Sequence, residues 1–166
     1  MAFYYQPAAG EAYNSLTTIT TDIPYGWLFR SLHNFAGNAL IVVASIQIIV
    51  MFLGEQFRPG WVTAWISGVL LALAAVALGW TSMILDWSQF GFWRLKIELG
   101  TIEAIPLIGT QLREILTGGD SVGTPTISHM YALHSYILSV SAVFLAIAHL
   151  AGLSFQELET QQEGKR

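Results

Sequence analysis

The stretch VTAWISGVLLALAAVALGWTSMIL, residues 62–85, decides the fold. It contains no Asp, Glu, Lys or Arg, and a helix needs roughly 20 apolar residues to cross a hydrocarbon core of about 30 Å. Lipid offers the backbone no hydrogen-bond partners, so a spanning segment of this kind must satisfy its N–H and C=O groups internally, as a helix. Two further runs of this kind flank it. Residues 28–53 form one, with Asn38, Ser45 and Gln47 among its polar positions. Residues 130–153 form the other and contain His134 and His149. GEQFRPG, residues 54–60, reads as a short turn that makes the first two spans antiparallel neighbours.

The composition agrees with three membrane spans. Of 166 residues, 54% are hydrophobic and 11% charged, against about 25% charged in an ordinary soluble domain. The formal net charge is −4 and there is no Cys. Disulfides, thiolate zinc, iron–sulfur clusters and thioether-linked haem are thereby excluded from this chain. The absence of a basic cluster excludes nucleic acid as a partner. Residues 1–21 lack the basic start and continuous apolar core of a cleavable signal, and are expected to open as a loop at the membrane surface.

The connection over residues 86–129 is too long to be structureless. Within it, residues 102–116 alternate Ile102, Ile105, Leu112 and Ile115 with Glu103, Gln111, Arg113 and Glu114, the pattern of one or two short helices lying at the interface. The expected architecture is an all-α integral membrane bundle: three transmembrane helices plus short interfacial amphipathic helices between spans two and three. Its membrane domain covers residues 1–153 and a polar tail covers 154–166. Charge does not orient it, because Arg30, Arg94, Lys96 and Arg113 on one side face Arg58, Lys165 and Arg166 on the other.

Histidines inside membrane spans are costly and default to functional candidates. His134 and His149 lie 15 residues apart, which on an ideal helix is about 22 Å of rise and about 60° of azimuth. His33, near the start of span one, can stand level with His134, near the start of span three. Two imidazoles from separate helices can clamp one flat ligand, and imidazole suits iron. Arg30 lies one turn before His33, placed for a carboxylate of such a ligand. Gln47 lies at the level where it could face His149. An amide oxygen ligates iron poorly, which leaves that second site empty, five-coordinate through His149, or adapted to a quinone head group.

GWLFRSLHNFAGN, residues 26–38, resembles the start of the second helix of the cytochrome b family of bc and bf complexes. Residues 65–110 resemble that family's third helix and quinol-site loop. SVGTPTISHMYALHSYIL, residues 121–138, resembles the start of its fourth helix, and the likeness is greatest to the short, split b6 form. The resemblance implies haem b held by His33 and His134 near the outer side, with Arg30 on a propionate and His149 as the fourth-helix ligand of an inner haem. Small residues at Ala36 and Gly37 on span one and at Gly68, Ala72 and Ser82 on span two would let a broad macrocycle approach the backbone; the resemblance implies close haem approach at Gly68 and Ser82, and a quinol-oxidising region around Trp87, Gly91 and Trp93. Quinol would give one electron to the haem of His33 and His134, and the other to an iron–sulfur or cytochrome partner.

Some positions depart from the family. Gln47 replaces the second ligand of the inner haem, so a second haem at His149 stays open. Asp86 replaces the proline of the Leu-Pro-Trp turn, and His129 replaces an arginine that binds a propionate. The family's first transmembrane helix and the C-terminal half of cytochrome b have no counterpart in this chain, and partner subunits are expected to supply them. The implied function is a haem b electron-transfer subunit, with quinol as substrate, of an energy-transducing membrane. The alternative is a non-catalytic scaffold derived from cytochrome b.

Overall fold

In the computed structural model, which describes residues 2–54 and 61–164, every regular element is helical. The expected turn over residues 54–60 falls almost wholly outside the described residues. The order is α1 (Ala12–Thr21), α2 (Gly26–Leu53), α3 (Val62–Ser82), α4 (Gln89–Glu103), α5 (Gly109–Thr117), α6 (Thr124–Ala132), a π-helical stretch (Leu133–Leu138) and α7 (Ser139–Glu163). Three segments are long and apolar enough to cross a membrane: Gly26–Leu53, Val62–Ser82 and Thr124–Gln162. The protein is an all-α integral membrane protein.

The ends of the elements follow local chemistry. Helix α3 stops at Ser82, three residues before the hydropathy pattern ends, and Met83 to Asp86 form turns. Asp86 Oδ1 accepts from the Ser88 N–H at 3.0 Å, and Ser88 Oγ accepts from the Gly91 N–H at 3.1 Å, capping α4. This Asx turn does the work of changing chain direction that the missing proline would do, with Trp87 at φ 49°. A Cβ at Gly91 would collide with the Met83 carbonyl, so the turn needs glycine there. Helix α4 therefore begins at Gln89, well before the interfacial stretch expected from residue 102. The third span starts earlier than expected, at Thr124: Pro125 occupies the first turn, where its missing N–H costs nothing, and Thr126 Oγ1 accepts from the Gly123 N–H at 3.0 Å. At its other end the polar segment after Ser154 continues the helix to Glu163.

Helix α1 is not foreshadowed by hydropathy, because AYNSLTTITT is polar and rich in β-branched residues. It forms because Ala12, Ser15 and Ile19, at helical spacing, are buried on one face. Residues 2–9 are pinned beside it. Tyr5 Oη donates to the Leu85 carbonyl at 2.7 Å, Ser128 Oγ donates to the Pro7 carbonyl at 2.9 Å, and Tyr5 stacks on Tyr131 with ring centres 5.1 Å apart. Burial pushes the Tyr5 phenol above its ordinary pKa, and the neighbouring Tyr131 and Asp86 push it further in the same direction.

The chain divides into two compact units, residues 1–34 with 79–137, and residues 35–78 with 138–166. The first has its own core of Ile84, Leu95, Leu99 and Met130, with Trp80, Trp87, Phe92 and Leu133 packed around it. Glu98 ties α4 to the end of α3, accepting from Trp80 Nε1 and from Arg94 Nε, both at 2.7 Å. In the second unit, α7 approaches α3 backbone to backbone. A Cβ at Gly152 would lie 2.8 Å from the Ala64 nitrogen, a separation only glycine permits.

Candidate functional site

In the first unit the end of α3, the start of α2 and the π-helical stretch bring two histidines together. The His33 and His134 rings have centres 6.1 Å apart, with their planes at 72°. Two imidazole nitrogens on one metal, each at roughly 2 Å, put their ring centres roughly 6 Å apart. The pair therefore fits a metal held between the two rings. His134 lies inside the π-helical stretch, a widened turn that recurs at functional sites. The rest of the stretch, Ser135 to Leu138, separates His134 from His149, so the chain between them is not the unbroken α-helix for which the azimuth was worked out.

His134 Nδ1 is 3.1 Å from the hydroxyl of Thr81, which is 2% exposed on α3. Arg30 Nη1 donates to Thr20 Oγ1 of α1 at 3.1 Å. That contact uses one of five guanidinium donors and leaves others for an anionic group. His129 sits elsewhere, against the loop after α5: a Cβ at Gly118 would be 2.8 Å from His129 Nδ1, and Gly118 has φ 69°. Ser82 Oγ turns back to the Gly79 carbonyl at 2.8 Å.

The second unit holds His149, 8% exposed on α7. Its Nδ1 is 2.9 Å from the Ala64 carbonyl and 3.5 Å from Ser67 Oγ. A carbonyl only accepts, so Nδ1 carries a hydrogen there, and in the neutral ring Nε2 is the nitrogen left to ligate a metal. A Cβ at Gly68 would lie 2.9 Å from His149 Cε1, so Gly68 makes room for the imidazole itself. Gln47 is half-buried on α2, and Gly37 has nothing within 4 Å of where a Cβ would stand. Further along α7 the Gln156 side chain is buried with Nε2 unpartnered.

Sequence reasoning does not single out Thr81, Ala64 or Ser67. A hydroxyl near the end of an apolar span is a usable signal for Thr81 and Ser67. Ala64 contributes a main-chain oxygen, which no residue letter encodes.

The family model described as "Cytochrome b/b6/petB" matches residues 1–157. The chain is 38% identical over 151 residues to cytochrome b6 of Acaryochloris marina (strain MBIC 11017), an overlap covering 90% of this chain and 70% of that one. It is likewise 38% identical over 149 residues to cytochrome b6 of Cyanidium caldarium, covering 90% and 69%. Among solved structures, a chain of a hyperthermophilic respiratory Complex III shares the fold, with a TM-score of 0.76 at 24% identity. The match takes in 92% of this chain and 41% of that longer one.

Proposed function

The chain belongs to the cytochrome b/b6 family, and from that premise we propose that it is a haem b-binding electron-transfer subunit of a quinol-oxidising, bc/b6f-like complex in an energy-transducing membrane. The observation that carries this reading is the 6.1 Å separation of the His33 and His134 ring centres. Among the described residues no cluster of three or more His, Asp or Glu is placed to hold a metal ion. A site built from two imidazoles suits a metal whose remaining ligands come with it, as they do in a macrocycle. Haem b bound there supplies one-electron redox chemistry.

The chain's own part is to bind and orient. His33 and His134 would hold the haem iron, and Arg30, held by Thr20, would be the cation for a propionate. His149 holds its ring against Gly68 with Nδ1 on the Ala64 carbonyl, which supports a second, single-histidine site through Nε2. Gln47 occupies the level at which a second imidazole would complete that site. The remaining parts of a quinol-oxidising assembly fall to partners: a further helix, the C-terminal half of cytochrome b, and an iron–sulfur or cytochrome subunit.

The test is a reduced-minus-oxidised spectrum of the purified complex, with pyridine haemochrome quantitation, for the wild type and His134→Ala. The wild type is expected to show a haem b α band with low-spin character, and His134→Ala to lose it. An unchanged spectrum in the variant removes His134 from the ligand set. A colourless, stably folded wild type would favour the scaffold alternative.

A further inference from the structure

Helix α3 supplies no histidine, yet His134 and His149 of the third span both present Nδ1 to it. In the first unit His134 Nδ1 meets the Thr81 hydroxyl at 3.1 Å, and in the second His149 Nδ1 meets the Ala64 carbonyl at 2.9 Å. The two acceptors differ chemically. A backbone carbonyl is fixed in direction and accepts only, whereas a hydroxyl rotates and both donates and accepts.

We propose that Thr81 is a positioning residue that acts through His134 Nδ1 to fix the ring's orientation and its electron donation, and thereby sets the reduction potential of the group His134 ligates. This rests on the ligand assignment made above. An imidazole that ligates through Nε2 keeps its proton on Nδ1, and that N–H donates to the Thr81 oxygen. Donation to an acceptor makes the ring more basic and stabilises the oxidised metal, which holds the potential down. Thr81 is 2% exposed, so water does not readily take the hydroxyl's place when it is removed. The Nδ1–H then loses the Thr81 oxygen, the ring donates less, and its orientation is held less firmly.

The experiment is a redox titration and a low-temperature EPR spectrum of the low-spin haem signal that His134→Ala abolishes, made on the assembled complex in its membrane. Thr81→Val keeps the shape and removes the hydroxyl. It is expected to leave haem per chain unchanged, to shift the midpoint potential upward and to move the low-spin g values. Thr81→Ser, which keeps the hydroxyl, is expected to return both readouts towards the wild type. Thr81→Ala gives the same comparison should the valine variant fail to assemble. A potential and g values unmoved by loss of the hydroxyl overturn the role of Thr81 and leave the ligand assignment standing. A serine variant that behaves like the valine variant also overturns it. Absence of any low-spin haem from the wild type overturns both.

Discussion

Gly68 and His149 form a couple in which one residue's lack of a side chain is filled by the other. A methyl at Gly68 would stand 2.9 Å from His149 Cε1 and 3.1 Å from Nδ1, closer than real contacts tolerate, and the ring is held in place by the Ala64 carbonyl. Overpacking of this kind typically destabilises by about 1–3 kcal/mol. Gly68→Ala is therefore expected to lower thermal stability in detergent, and the double variant with His149→Ala to recover most of the loss. Additive effects in that double-mutant cycle would show that the two side chains do not compete for one space. Legibility at this scale is uneven. The nearness of His33 to His134 can be read from their positions near the starts of two spans. The contact at Gly68 cannot, because a glycine in a membrane helix is equally at home in ordinary close packing.

Among the elements, the π-helical stretch over Leu133–Leu138 is the one that sets the phase of the third span. It admits an extra residue into the turn that carries His134 and leaves α6 and α7 regular on either side. Deleting Ser135 should let this segment close into an α-helix. One residue of an α-helix turns about 100°, so His134 would rotate relative to α7 or lose its place opposite His33. Far-UV helix content is expected to stay near the wild-type level while the low-spin haem signal disappears. A deletion variant that keeps its haem would show that the phase is set elsewhere. Periodicity in the sequence cannot disclose such a stretch, because an apolar run suits lipid whichever helical turn it adopts. The same limit hides α1, whose polar letters conceal a buried face, and the early end of α3, which depends on an Asx turn beyond the apolar run. The spans themselves are legible throughout, because their length and lack of charge leave a helix as the viable form in lipid.

For the molecule as a whole, the spans bury little of themselves within the chain. In the most apolar window of each, 11% of residues are buried in Gly26–Leu53, 28% in Val62–Ser82 and 17% in Thr124–Gln162. Phe29, Phe35, Val43, Phe52 and Phe144 are among the large apolar side chains left exposed by this chain, a surface that lipid or neighbouring subunits must cover. The protein is accordingly expected to stay in the membrane pellet after washing with concentrated salt or alkaline carbonate, and to leave it only with detergent. Release by salt alone would contradict the reading of three membrane crossings.

His134 and His149 also differ in how their contacts are inherited. The oxygen that meets His149 is part of the main chain at Ala64, so it passes to descendants whatever residue occupies that position, provided the helix persists. The oxygen that meets His134 exists only while position 81 encodes a hydroxyl. One nucleotide change in a threonine codon suffices to erase it, which leaves the two sites unequally shielded from genetic drift.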